Sequence, residues 1–205
     1  MTAAERDLDA LIVGNIGDLE ASMKRAKESI DERLNTASWE ELKRALGDDN
    51  WYYEDGDDLG DAWFAPRAWL IEDEEGDFDA DPWFRLKPID AKREFDSWLA
   101  HYVAPKNNRQ QIAVVWCWHR FYVNDYMAAV DEVEDQITAI TDLGFHRDGR
   151  ELFLPLSFDT DALVEGFQVG DLTEALEPIA DGANVLKNAL SHFSAFRTEL
   201  LAKAR

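Results

Sequence analysis

Cysteine is almost missing from this chain: Cys117 is the only one in 205 residues. No intrachain disulfide can form and a cysteine-based zinc site is excluded, which fits a reducing, cytoplasmic setting. Histidine is scarce as well, and His101, His119, His146 and His192 lack the close paired spacing that transition-metal sites use. Basic side chains are few for the size. Twenty-one Lys and Arg stand against 43 Asp and Glu, a formal net charge of −22 with a pI near 4.4. Phosphate backbones and anionic lipid surfaces are repelled at long range by such a chain, so neither direct nucleic-acid binding nor membrane binding is expected.

Long apolar runs are also lacking. IAVVWCW at 112–118 is the longest and is far too short to span a bilayer. The stretch MTAAERDLDALIVGN has neither the basic start nor the apolar centre of a signal peptide. No G-x-S-x-G elbow, P-loop, G-x-G-x-x-G or H-E-x-x-H occurs, which lowers the expectation of an enzyme. Glu41-Leu-Lys43 has the E-x-K form of metal-dependent nucleases but falls in a predicted helix, where that strand-borne motif is misplaced. Cys117 and His119 would share one strand face, yet a cysteine in the most apolar stretch is usually a core filler with a raised pKa.

What the chain has is 46% apolar and 12% aromatic residues, enough for one domain spanning 1–205. The class read from the pattern is α+β, an antiparallel or mixed sheet from the middle of the chain packed against N- and C-terminal helices. A helical part covers 1–47, a sheet-containing part 48–156 and a second helical part 157–205. Over 4–34, apolar residues from Leu8 to Leu34 recur at three- and four-residue spacing, one stripe of a long amphipathic helix. Gly14 and Gly17 within it predict a bend or, more simply, a close helix crossing, and the two terminal helices are expected to pack together. Ser38-Trp-Glu-Glu41 reads as a capping box opening a second helix that Gly47 stops.

From 50 to 89, short aromatic and β-branched runs between Gly, Pro and Asp-Gly turns predict strands. Asp90 is the expected cap of a short helix carrying Phe95, Trp98, Leu99 and Tyr102 inward, and 110–123 reads as a central strand. A helix follows from Asn124 or Asp125 to Gly144. Asp148-Gly149 predicts a hairpin in 145–156 that pairs His146 with Glu151. Asp159 caps a helix through Val164, and segments 171–180 and 183–203 are expected to be separated or kinked by Pro178 and Asp181-Gly182.

The charge is concentrated in residues 48–98, which hold 17 acidic and five basic side chains together with eleven aromatic rings. One reading is a Trp-rich sheet face packed on helices, its turns solvated by Asp and Glu. The functional reading is an interaction module that docks on a basic protein surface. There Asp55, Asp57, Asp58, Asp61, Glu72, Asp73, Glu74 and Glu75 supply the attraction, and Trp63 and Trp83 the anchors. Were that partner a nucleic-acid-binding protein, the segment would act as an inhibitor, a mimic of DNA. The alternative is a small enzyme or ligand-binding domain using the same carboxylates with a divalent cation or a sugar.

Asp77, Asp79 and Asp81 match the first three ligand spacings of a calcium loop, but Pro82 and Pro88 stand where its Gly and its bidentate Glu belong. No cofactor is therefore expected, with Ca²⁺ or Mg²⁺ the ions such a cluster would take. The basic pairs Arg147/Arg150 and Lys106/Arg109 are read as internal ion pairs or a dimer contact. Adaptation to high salt gives the same low pI and would show as folding that requires molar salt. The sequence sets no oligomeric state.

Overall fold

A computed structural model describes residues 2–56, 59–72, 78–80, 82–89, 97–104, 111–118, 123–149 and 151–203. The chain is α+β, with an antiparallel six-stranded sheet from its middle and helices from both ends. Helix α1 (Ala3–Arg25), a π-helical turn (Ala26–Ile30) and α2 (Asp31–Leu46) follow one another without leaving helical backbone at their junctions. Thr2 opens this run with a capping box to Glu5. Gly47, at φ 82°, ends it, a conformation that favours glycine.

The box expected at Ser38 is absent, because Ser38 lies inside α2, where its hydroxyl meets the Tyr102 hydroxyl at 2.5 Å and Glu41 pairs instead with Arg44. A Ser-x-x-Glu pattern caps only when the backbone before it is non-helical, and here a helix is already running.

Gly14 and Gly17 mark a bend and not a crossing. Asn15 between them leaves helical geometry (φ −125°, ψ 16°) and donates from Nδ2 to the Leu11 carbonyl at 2.8 Å. A Cβ added at either glycine would meet nothing within 4 Å. The terminal helices do meet, but through α2 and helix α7 (Glu177–Lys203). The stripe of α1 stays exposed, and every described side chain from Glu5 to Arg25 is exposed with it.

The sheet runs in the order β1 (Trp51–Glu54), β2 (Trp63–Pro66), β5 (Trp83–Pro88), β6 (Ile112–Cys117), β8 (Glu151–Pro155) and β7 (His146–Asp148), with all neighbours antiparallel. Strands β3 (Leu70–Glu72) and β4 (Phe78–Ala80) form a separate hairpin. Strand β6 is central and buried from Ile112 to Trp116, as its unbroken apolar run predicts. One face of the sheet carries Phe64, Phe84, Leu86, Val114, Trp116, Leu152 and Leu154, and all of the buried apolar helix side chains belong to this same core.

Phe84 is its hub, with ring centroids 5.8 Å from Phe64, 5.7 Å from Trp69 and 5.1 Å from Phe193 of α7. The opposite face has a small separate cluster of Ala113, Val115 and Phe153, with Ile89 and Cys117 beside it and no helix residue among those described.

Two further expectations change on the C-terminal side. The hairpin pairs Asp148 with Glu151 and His146 with Phe153, so Gly149 (φ 58°) takes the first turn position that the sequence reading gave to Asp148. The partner of His146 moves by two residues and stays on the same face. Pro178 does not break α7 but sits in its first turn, where no N–H is needed. Gly182 does not break it either, since the helix passes so close to the sheet there that a Cβ would lie 2.7 Å from Leu156 Cδ2.

The remaining helices are α3 (Leu99–Tyr102), α4 (Val123–Glu132), α5 (Glu134–Asp142) and α6 (Thr160–Val169). Asp159 caps α6 by accepting from Asp161 N and Ala162 N, as expected, although the helix runs past Val164. Among the described residues no helix is long and apolar enough to cross a membrane. The expected cap at Asp90 and the residues Phe95, Lys106, Arg109, His119 and Arg150 lie outside the described residues.

Candidate functional site

Strand alternation sorts the aromatic residues of the acidic segment into two sets. Trp51, Phe64, Trp69 and Phe84 are buried in the core, at most 4% exposed. Tyr52, Trp63 and Trp83 are half-buried. They occupy the opposite face, because Tyr52 alternates with Trp51 and Tyr53, Trp63 with Phe64, and Trp83 with Phe84. The Tyr52 and Trp63 rings lie 5.4 Å apart, and the Tyr52 hydroxyl donates to Glu54 Oε2 at 2.7 Å. Glu54 is opposite Trp63 in the register, and Glu54 and Asp61 are both exposed at this end of the sheet. The ring pair therefore has the Glu54 carboxylate at its edge.

The same face is not uniformly acidic. Arg85 and Lys87 of β5 share it, with the Arg85 guanidinium 5.7 Å from the Trp83 ring. Asp55 faces the other way, into a cleft of about 610 Å³ that it lines with Gly56, Leu59, Ala62, Trp98 and residues of α2. Its Oδ1 accepts from Trp39 Nε1 at 2.5 Å and from Lys43 Nζ at 2.9 Å. The Trp39 donor, followed by Lys43, holds the Asp55 carboxyl below its ordinary range. Asp55 is thus matched by a lysine of the same chain and adds little to an anionic surface.

Asp31, on the floor of the same cleft, is buried. It accepts from Ser97 Oγ (2.9 Å), Trp98 N (2.9 Å) and Leu99 N (2.8 Å), fixing the start of α3 against α2. Asp31 therefore ties α3 to α2, and both carboxylates have hydrogen-bond donors of this chain as partners.

Of the other residues singled out by sequence, Glu72 and Asp79 lie in the β3–β4 hairpin, where Glu72 pairs with Phe78 and Ile71 with Asp79. Asp57, Asp58, Asp73, Glu74, Glu75, Asp77 and Asp81 lie outside the described residues. Among the described residues no group of three or more His, Cys, Asp or Glu is placed to hold a metal ion. Glu41 and Lys43 lie in α2, as anticipated, each with a charged partner. Burial pushes the Cys117 thiol upward, which disfavours a reactive thiolate.

Sequence reasoning missed Tyr52, Glu54, Arg85 and Lys87. Period-two alternation from Trp83 would have found Arg85 and Lys87, whereas Tyr52 and Glu54 follow only from the β1–β2 register. Comparison with protein-family models, with curated proteins and with solved structures gives no match.

Proposed function

We propose that this chain is a protein-interaction module that docks on a basic protein surface through the β1–β2 end of its sheet. The observation that carries this reading is the Tyr52–Trp63 ring pair. It is half-buried on a face with no described helix over it and bordered by the exposed Glu54 carboxylate, with Asp61, also exposed, two residues before Trp63 in sequence. An arginine or lysine of a partner would lie over the rings while pairing with the carboxylates. The net charge of −22 would speed the encounter and keep other acidic molecules away. The docking surface is narrower than the whole 48–98 segment, because Asp55 is taken by Lys43 and because Arg85 and Lys87 stand further along the face. A basic partner that itself binds nucleic acid would make this chain its competitive inhibitor.

The test is a pull-down from the native host at low and at high ionic strength, run in parallel with the wild-type chain, Trp63→Ala and the pair Glu54→Lys/Asp61→Lys. A basic protein retained by the wild type at low salt, released at high salt and absent from both variants supports the reading. Equal retention by all three chains overturns it.

A further inference from the structure

The exposed face of α1 carries a second surface, independent of the sheet. Leu8, Leu11, Ile12, Ile16, Leu19 and Met23 are between 39% and 63% exposed on a helix that projects from the core. A helix of this length with two glycines and no packed face is marginal in water, so the stripe needs a cover. We propose that the cover is a second copy of the same chain, with the two α1 helices paired antiparallel about a point between residues 15 and 16.

Three features share that centre. In the apolar stripe, Leu8 falls opposite Met23 of the partner copy and Ile12 opposite its Leu19. The ends also match in net charge: Glu5, Asp7 and Asp9, with Arg6 among them, come to lie along Lys24, Arg25 and Lys27, with Glu28 among those. The bend at Asn15 lies at the same midpoint, so each half of an arm follows the opposite half of its partner.

Parallel pairing would set the acidic ends side by side and the basic ends side by side. It would also bring together two bodies that make up most of a chain of net charge −22. Antiparallel pairing keeps the bodies roughly 45 Å apart, about 15 residues of helix on each side of the centre at ~1.5 Å per residue. Six side chains about half exposed on each arm would remove on the order of 1,000 Å² from water. That is the size at which a specific interface begins.

Sedimentation equilibrium of the full chain over about 1–100 μM tests this. The expected mass is twice 23.4 kDa at the upper end of the range. Ile12→Asp/Leu19→Asp should weaken dimerisation at least about 100-fold while leaving the melting of the body unchanged, since neither side chain packs on it. Lys24→Glu/Arg25→Glu/Lys27→Glu alone should weaken it, and mixing that chain with Glu5→Lys/Asp7→Lys/Asp9→Lys should restore it. In a Cys117→Ser background, Leu8→Cys and Met23→Cys chains should cross-link when mixed and not when separate. A monomer throughout the range, a dimer that survives Ile12→Asp/Leu19→Asp, or cross-linking of the Leu8→Cys chain with itself overturns the proposal.

Discussion

Replacing Asp31 with alanine removes a side chain that ties α2 to the segment opening α3, more than sixty residues away in sequence. Three donors lose their acceptor, and two of them are backbone N–H groups at a helix start with no intrahelical partner. A hydrogen bond to an ionised acceptor contributes about 1.5–3 kcal/mol net, so full additivity would give roughly 4.5–9 kcal/mol. Ser97, Trp98 and Leu99 are only half-buried, and water can reach part of what is exposed. The expected loss is therefore about 3 kcal/mol.

For a chain of this size, each kcal/mol lowers the melting temperature by about 2–4 °C, so Asp31→Ala should melt roughly 6–12 °C below the wild type. Asp31→Asn keeps one acceptor oxygen and loses the charge, and should cost about half as much. Urea unfolding followed by circular dichroism measures both, with the denaturant slope unchanged if the native state is otherwise intact. A loss below about 0.5 kcal/mol for Asp31→Ala, or an asparagine as damaging as alanine, would refute the reasoning.

Gly166→Ala should destabilise by about 1–3 kcal/mol in the same assay, even though alanine is favoured in a helix interior by about 1 kcal/mol. Its Cβ would lie 2.8 Å from the Asp171 carbonyl oxygen, part of a backbone turn held by bonds from Gly170 N and Asp171 N to the Gly166 carbonyl, and a neutral or stabilising result would contradict this. Asp55→Asn should cost a few tenths of a kcal/mol near neutral pH, because the Asp55 side chain is largely exposed and asparagine keeps an oxygen that can accept from Trp39. The native state depresses this carboxyl, so its contribution is present above the ordinary Asp pKa of about 3.9 and is lost as the pH falls through the lowered value. Wild type and Asp55→Asn should therefore converge in stability only in acid, and a difference growing below neutrality would be the wrong sign. Cys117 should react with a thiol reagent at pH 8 far more slowly in the native chain than in urea, because burial raises its thiol pKa; equal rates would place the sulfur in open solvent.

Much of the fold was legible because hydrophobic period and turn chemistry act locally. The stretch 110–123 read as a central strand, which runs over Ile112–Cys117, and Asp159 read as a helix start. What could not be read depends on groups that meet only after folding. Ser38 has a local capping pattern, yet its hydroxyl partner is Tyr102, 64 residues on. Asp55 is one carboxylate among many in sequence, and only the packing of α2 against the β1 end brings Lys43 to it. Pro178 and Gly182 look like breaks until the first is seen in an opening turn and the second against Leu156. The α1 stripe was plain, but periodicity states that a face needs cover and not what covers it.

The docking surface at the β1–β2 end is tested most directly by footprinting the basic protein complex recovered at low salt. Carboxylate labelling and tryptophan oxidation would be read residue by residue with and without the partner. Protection of Trp63, Glu54 and Asp61 on binding, with Asp171 and Glu177 on the far side of the sequence unchanged, is the predicted result. Unchanged labelling of Trp63 in a complex that demonstrably forms would contradict it.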